Sequence, residues 1–538
     1  MICTLANSLW ASGCLPEAVR FHRSARRVAE EQEAILRRII HRNAETEFGK
    51  THGFSSIRCS EDYRRSVPLR DYDQHQRWIS RAANGAPNVL THEAIRLFEP
   101  TSGSSGATKL IPYTQSLRAE FQRGINAWIA DLFTRFPRLL GGPAYWSISP
   151  ASIESRRTPG GIPIGFDDDS SYLGGWQKRL VQTVMAVPGT VRLVTDSDVF
   201  RYATLLHLVR ARELRLISIW SPTFLILMLD RLSEWGEQMV YDLEHGVHGP
   251  ADTRRSRELR KALQAASRQE THARLWPKLE LISCWKDAAS AGPATNLAAL
   301  FPHSRVQGKG LIATEALISF PLTGHNDAAL SVRSHFLEFL PDGSAQTVLA
   351  HRLEQGGLYS VVVTTGGGLY RYLLGDQIQV TGHFHGCPLV RFAGREGSVS
   401  DWIGEKLNDA HVSRVFAEVF KKLGIIPGFA MLAYDTDPPP GDVAGYLLYI
   451  DADAAQDLII RATEEVESGL RENFHYDYAR RLGQLAPVRA VRIPNGAKIL
   501  FDDAVRSGQK LGDIKVPSLD HRSRWTRILS QEGTRIQA

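Results

Sequence analysis

The stretch Thr101 to Lys109 reads TSGSSGATK and holds three Ser, two Thr, two Gly and one Lys. It follows the apolar, extended-looking run Ala94 to Phe98 and precedes Leu110 and Ile111. Strand, loop of small hydroxyl residues, then Lys: the arrangement suits a phosphate cradle. Gly103 and Gly106 let several backbone amides face one anion. Ser102, Ser104 and Ser105 add donors, and Lys109 adds a point positive charge. The spacing differs from the Walker loop, which ends Gly-Lys-Ser/Thr. The same residue types also build plain surface loops, so the stretch by itself leaves both readings open.

Four further clusters carry chemistry-bearing residues. Thr314-Glu315 closes the apolar run Leu311 to Ala313, where a hydroxyl and a carboxylate could hold a phosphate oxygen and a magnesium ion. GGGLYRYLLGD, Gly366 to Asp376, is a glycine-rich turn entering an aromatic strand. Asp376 there could accept both hydroxyls of a ribose, or simply cap a turn. Gly394-Arg395, followed by Glu396 to Ser400, falls where the composition changes and reads as a hinge. GQKLGDIKVP, Gly508 to Pro517, presents Lys510 and Lys515 in a glycine-punctuated loop; each is otherwise a solvated surface charge.

The positioning elements follow from periodicity. Residues 17–42 read as one helix with Pro16 at its start, and 115–137 as another capped near Thr114. Between 143 and 230 short apolar runs alternate with helical pattern: strands at Ala144 to Ile148 and Leu214 to Trp220, a helix at Asp198 to Arg212. That alternation predicts parallel α/β layers. A charged helix over 251–274 and strands at Leu279 to Cys284, Arg305 to Glu315, Leu337 to Leu340 and Tyr359 to Thr364 continue the series. Past residue 396 a small α+β unit is expected: helices at Asn408 to Leu423 and Ala454 to Phe474, paired strands at Phe429 to Tyr434 and Tyr446 to Asp451, and a strand at Val488 to Ile493.

Length and composition bound the function. The chain has 538 residues, two to four domains' worth of sequence, with 43% hydrophobic and 23% charged residues. A net charge of +6 is small for that length. Basic residues are dispersed and carry no aromatic-basic recognition motif, which argues against nucleic acid. Five scattered cysteines without a CxxC pair fit a reducing cytoplasm rather than a disulfide or zinc framework. No apolar run is long enough to span a membrane. LWASGC, Leu9 to Cys14, loosely resembles a lipoprotein cleavage box, but no basic residue precedes Arg20, so the expectation is a soluble protein with a helix at this point.

Taken in order, the clusters resemble the plan of the adenylate-forming superfamily: acyl-CoA synthetases, peptide-synthetase adenylation domains and luciferases. The closer resemblance is to the auxin-responsive Gretchen Hagen family of acyl acid amido synthetases, and a bacterial member is expected. NAETEFGKTHGF, VPLRDYD (Val67 to Asp73), FEPTSGSSGATKLIPYT, IWSPTFLILML (Ile219 to Leu229), LWPKLELI and FLEFLP (Phe336 to Pro341) carry it. VVVTTGGGLYRYLLGDQIQVTG is the most specific match. There are departures. LIATE lacks the aromatic residue that plant members place before the motif Glu, leaving Leu311 or Ile312 as an apolar face for adenine. Leu373 stands where Arg is usual, and Ser518 stands where the late Lys-x-Pro motif usually ends in Arg.

The resemblance implies an α/β fold. A large domain, 1–396, has layered sheets and helices and binds ATP and the acyl group. A small mobile α+β domain, 397–538, turns about Glu396 to Ser398. It implies ATP and magnesium as cofactors, a carboxylic acid substrate, and an amino acid or other amine as acceptor. The carboxylate attacks the α-phosphate to give an acyl adenylate, which the amine then attacks. Ser102, Gly103, Ser104, Ser105, Gly106 and Lys109 would hold the outer phosphates, Thr314 the α-phosphate and Glu315 magnesium. Asp376 would bind the ribose, with Arg395 nearby, and Lys515, with Lys510 as rival, would serve catalysis. Tyr145, Trp146, Tyr172, Trp176, Trp220 and Phe224 are aromatic candidates for a pocket that takes an aromatic or apolar acid. An acyl-CoA ligase with a thiol acceptor and a non-catalytic nucleotide- or acyl-binding homologue are the alternatives.

Overall fold

The computed structural model describes residues 2–101, 109–147, 157–165, 175–395, 399–439, 442–506, 509, 514–520, 528–529 and 533–536, without the side chains of 175–179, 399 and 535. It is a mixed α/β fold, as expected. Internal contacts divide it into two compact units: residues 1–200, 213–216 and 308–392, and residues 201–212, 217–307 and 393–538.

In the first unit the helix forecast over 17–42 resolves into two, Ile2–Ser24 and Val28–Arg42. Pro16 lies inside the first helix, not at its start. The chain leaves that helix at Ala25, whose carbonyl accepts from the Gly386 N–H at 2.8 Å. Arg333 then ties both helices together, donating to Glu17 at 2.6 Å and to Glu31 at 2.8 Å. LWASGC falls within the first helix, with Trp10 and Cys14 buried. The second expected helix is Gln115–Arg135, and the Thr114 hydroxyl accepts from the Leu117 N–H as its N-cap.

A seven-stranded sheet forms the centre of this unit. Its order is Val348–Leu349, Phe336–Pro341, Leu358–Thr364, Tyr372–Phe384, Cys387–Arg395, Ala328–Leu330, Ser319–Pro321. Leu358–Thr364 pairs antiparallel with both its neighbours. Val361, Val362 and Val363 are all fully buried, so both faces of this strand are covered, which is why it reads as an unbroken apolar run. Gln32 locks the helix Val28–Arg42 onto the sheet: its side chain donates to the Val332 and His335 carbonyls and accepts from the Leu337 N–H, each at 2.8 Å.

Mostly within the second unit, Leu216–Ser218, Leu281–Cys284 and Arg305–Gly308 lie side by side. The bonds Ile219 N–H to Ser283 and Trp285 N–H to Trp220 advance in step along both chains, the parallel pattern. The charged helix forecast over 251–274 is two, Thr253–Leu263 and Arg268–Leu275, with Ser267 capping the second. The strand expected over Arg305 to Glu315 stops at Gly308. Gly310, at φ +72°, turns the chain, and a Cβ there would sit 2.6 Å from the Ser319 carbonyl oxygen.

The C-terminal part of this unit has the paired strands Phe429–Tyr434 and Gly445–Asp451 in antiparallel register. Ala486–Arg492 joins the second in parallel and Leu519–Asp520 the first. The helix forecast from Ala454 to Phe474 is Gln456–Leu470, and a separate helix, Phe474–Arg481, follows it. Asn473 caps the second helix, accepting from the His475 and Tyr476 N–H groups. Val412, Phe416, Ile459, Val466 and Tyr446 share one core; Met431, Tyr449 and Leu500 share another.

Candidate active site

Strands Leu97–Thr101 and Lys109–Tyr113 form an antiparallel hairpin whose last pair is Thr101 with Lys109. The two ends of the hydroxyl-rich loop are thereby fixed side by side. Ser102, Gly103, Ser104, Ser105 and Gly106 themselves lie outside the described residues. The Lys109 ammonium stands 5.4 Å from the centre of the Tyr72 ring, and the Tyr72 hydroxyl accepts from the Leu110 N–H at 2.8 Å. Burial pushes the Tyr72 phenol up; the Leu110 N–H opposes this, and the charges of Asp73 and Glu315 add to it. Tyr72 therefore stands beside the loop's lysine, within the field of the Glu315 carboxylate.

Thr314 and Glu315 occupy the tip of a tight turn. Ala313 donates to the Ala316 carbonyl, and Ile318 to Leu311, both at 3.0 Å. Glu315 is buried, and the Tyr372 hydroxyl reaches its Oε1 at 3.5 Å. The Tyr113 hydroxyl reaches the Thr314 carbonyl at the same distance. Leu311 is buried and Ile312 half-buried.

The glycine-rich motif divides into a packing part and a presenting part. A Cβ at Gly366 would meet the Glu120 carboxylate at 2.6 Å, and one at Gly367 would meet the Pro112 carbonyl at 2.7 Å. The Gly366 N–H donates to Glu120, and the Thr114 hydroxyl to the Gly366 carbonyl. Glycines here let the turn press onto the start of helix Gln115–Arg135. Next, Arg371 takes φ +47° and turns inward. Its guanidinium grips Glu338 at 3.0 and 3.1 Å and donates to the Arg64 and Val67 carbonyls. Arg70 pairs with Tyr372, exchanging backbone bonds with Arg371 and Leu373, which moors the VPLRDYD segment and Tyr72 beside the motif.

Tyr372 and Asp376 then lie on one strand. Between Ser360 opposite Gln377 and Val362 opposite Leu373 the register shifts, and Gly375 takes φ +82°. A β-bulge of this kind re-aims a side chain out of the regular pleat. The side chain so placed is Asp376, which is 8% exposed.

In the second unit, the Lys515 ammonium lies 4.7 Å from the centre of the Trp285 ring. Its segment is pinned by Asp409, whose Oδ1 accepts from the Ser518 and Leu519 N–H groups, both at 2.9 Å. Ser518 is buried and its hydroxyl accepts from Ser413 at 2.8 Å, so the residue standing where Arg was expected is a packing contact. Arg395 ends the strand Cys387–Arg395. Lys510 and the hinge Glu396 to Ser398 lie outside the described residues.

Of the acyl-pocket candidates, Tyr145 is fully buried and Trp146 half-buried in the first unit. In the second, Trp220 packs on Trp285 at 5.8 Å, and Phe224 lies in helix Pro222–Asp230, capped by Ser221. Tyr172 and the Trp176 side chain lie outside the described residues. No cluster of three or more His, Cys, Asp or Glu forms a metal cage among the described residues. Magnesium needs no such cage: it takes one or two carboxylates and fills its shell with phosphate and water oxygens, which the buried Glu315 suits. No described helix is long and apolar enough to cross a membrane.

The tyrosines Tyr72, Tyr113 and Tyr372 are the site residues that sequence reasoning missed. Each lay inside a recognised motif (VPLRDYD, KLIPYT and LYRYLLGD) without a role assigned to it.

Comparison with known proteins gives three consecutive matches. The GH3 family N-terminal domain matches residues 18–306, the central domain 328–395 and the C-terminal domain 410–523. The chain is 24% identical to "Indole-3-acetic acid-amido synthetase GH3.3" of Arabidopsis thaliana, over 93% of this chain and 91% of that one. It is also 24% identical to "Indole-3-acetic acid-amido synthetase GH3.8" of Oryza sativa subsp. indica, over 90% and 87%. The fold resembles "GH3.15 acyl acid amido synthetase" with a TM-score of 0.82 at 17% identity, covering 96% of this chain and 95% of that one. A second structure, "AtGH3.15 acyl acid amido synthetase in complex with 2,4-DB", gives 0.84 at 18%, covering 96% of each. The relatives named are plant proteins, so the expected bacterial origin finds no support among them.

Proposed function

Because the chain belongs to the GH3 family, matched along its length by all three domains of that family, we propose that it is an acyl acid amido synthetase. It activates a carboxylic acid as an acyl adenylate at the expense of ATP and transfers the acyl group to the amine of an amino acid. The observation that carries this reading is the frame around Glu315. Tyr372 contacts the carboxylate, Tyr72 lies against Lys109, and the bulge at Gly375 presents Asp376 from the same strand as Tyr372.

In this reading each residue answers one electrostatic need. An anionic carboxylate must approach a polyanion, so positive charge has to be in place beforehand. Lys109 supplies it at the outer phosphates, with Ser102, Ser104 and Ser105 as donors and Gly103 and Gly106 leaving room for backbone amides. Thr314 contacts the α-phosphate. Glu315 holds magnesium, which offsets phosphate charge when bound. Asp376 accepts from the ribose hydroxyls, and Arg395 lies near the nucleotide. Lys515 neutralises the α-phosphate and carboxylate oxygens during adenylation. Residues 1–396 then act as the ATP- and acyl-binding domain and 397–538 as a mobile cap hinged at Glu396 to Ser398.

The test separates the half-reactions. Lys515→Ala is expected to abolish pyrophosphate release with a carboxylic acid and ATP, yet to spare amide formation from a supplied acyl adenylate and an amino acid. Equal loss of both steps contradicts the role of Lys515. Product formed with coenzyme A but with no amino acid contradicts the amide reading itself.

A further inference from the structure

A cavity of about 290 Å³ lies in the first unit, against the first turns of helix Gln115–Arg135. Ser116, Ala119, Glu120 and Arg123 line it from one face of that helix. Phe121 lies roughly 150° round the helix from that face at 3.6 residues per turn. Phe121 packs on Tyr113 at 5.8 Å, and the Tyr113 hydroxyl reaches the Thr314 carbonyl. The helix therefore stands between the cavity and the Thr314–Glu315 turn. Helix Val28–Arg42 supplies Arg38 and Arg42 to the opposite wall, and Glu93 and Gly366 complete it.

Both carboxylates of the cavity are already engaged. Glu93 accepts from Arg42 Nη1 at 2.7 Å and from the Ser116 N–H and hydroxyl at 2.9 and 2.7 Å. Glu120 accepts from the Gly366 N–H and meets His335 Nδ1 at 2.9 Å. Two guanidinium groups remain. Arg123, half-buried, gives Nη1 to the Arg333 and Ser334 carbonyls at 3.2 and 3.4 Å. Arg38, exposed, makes no hydrogen bond or ion pair with a described residue. Burial pulls the Arg123 guanidinium below the usual arginine range, and the like charge of Arg38 pulls it further; Glu120 and Glu17 oppose this. Two arginines held close enough to repel, on the wall of one cavity, are relieved by an anion between them.

We infer that this cavity is a second anion site, outside the nucleotide site, that takes a phosphate-type oxyanion, either free or carried as a monoester. Two guanidinium forks call for more acceptor oxygens than the two of a carboxylate, and a tetrahedral phosphate presents three or four. The charge also fits. Three arginines against two carboxylates leave one positive charge, and the helix N-terminus at Gln115 adds about half a charge. A phosphate monoester carries about −1.5 to −2 near neutral pH. Gly366 belongs to the turn that leads into Tyr372 and Asp376, so the anion sits behind the nucleotide motif, on its packing side. The inference stands apart from the synthetase reading and does not need it.

The experiment is isothermal titration calorimetry of the full chain with inorganic phosphate, glycerol 3-phosphate and acetate in a buffer free of phosphate. Wild type is expected to bind a phosphate probe about tenfold or more tighter than acetate. Arg38→Gln and Arg123→Gln should each weaken that binding about tenfold or more, the worth of a hydrogen bond to a charged group. Arg38→Gln should leave the KM for ATP unmoved, and because Arg38 is exposed and bonds to no described residue its removal spares the fold. Lys109→Ala should bind phosphate as wild type does, which separates this site from the phosphate loop. Glu93→Gln, which frees Arg42, should bind phosphate several-fold tighter and serves if Arg123→Gln does not fold. Tighter binding of glycerol 3-phosphate identifies a phosphorylated metabolite as the occupant, and tighter binding of inorganic phosphate the free ion; both keep the inference. No phosphate binding by wild type, equal binding by wild type and Arg38→Gln, acetate as tight as phosphate, or loss in Lys109→Ala alone overturns it.

Discussion

Removing Arg371 would strip a buried carboxylate of its counter-charge. Glu338 is fully buried and Arg371 is 5% exposed. The guanidinium meets Glu338 through Nη2 at 3.0 Å and Nε at 3.1 Å. Its Nη1 donates to the carbonyls of Arg64 and Val67 at 2.9 and 2.7 Å, and Nη2 donates to the Thr347 hydroxyl at 3.0 Å. Arg371→Met leaves Glu338 charged beside the Thr347 hydroxyl, which donates to it at 2.6 Å. Breaking a buried pair on one side costs about 3–5 kcal/mol. Each orphaned carbonyl adds about 1 kcal/mol or more. Against a total of about 5–15 kcal/mol for a folded domain, this is a third or more. The backbone adds a functional consequence. Arg371 sits at φ +47°, a conformation that costs about 1–2 kcal/mol and is held by these bonds. Its release should displace Tyr372 and Asp376, the next residues of the motif, and raise the KM for ATP. Urea unfolding of the full chain, read at its first transition, measures the stability change. Adding Glu338→Gln to Arg371→Met should recover about 2 kcal/mol or more, because the uncompensated charge is gone. A single variant within about 1 kcal/mol of wild type, or a second substitution that only adds to the loss, refutes the reasoning.

Two further outcomes follow from the same physics. Asp409→Ala removes the acceptor that pins Ser518 and Leu519, so the Lys515 segment loosens; adenylate formation should fall about tenfold or more, while aminolysis of a supplied adenylate holds. Comparable loss in both half-reactions would show that Asp409 serves the fold and not the placement of Lys515. Burial pulls His75 and His272 down to about 4. Between about pH 6.5 and 4 the unfolded chain binds protons that the folded chain refuses, so stability falls as the pH is lowered through that window. The slope is at most about 1.4 kcal/mol per pH unit for each histidine. Urea midpoints at several pH values should show the fall, and His272→Phe should flatten it; an unchanged slope in that variant rules His272 out.

The chemistry-bearing order of the chain was legible without coordinates. A loop of Ser, Gly and Lys, a Thr-Glu, a Gly-Asp, a Gly-Arg and a late Lys have fixed spacing in the sequence, and capping and periodicity located helix Gln115–Arg135 and the strand run at Val361 to Val363. Local rules suffice there, because capping, turn formation and alternation act over a few residues. They failed where a distant partner redirected the backbone. Gly310 turns the chain after a strand because the Ser319 backbone lies against it. Arg371, given no role in LYRYLLGD, is the mate of Glu338. Ser518 looked like a missing Arg and is a buried contact of Ser413. Tyr72 sits 243 positions before Glu315 and Arg38 well before Arg123, so their electrostatic coupling exists only once the chain has closed on itself. Residue types and their order determined which chemistry this protein can host. Packing decided which of those side chains face that chemistry, because burial sets what each charge must be paired with.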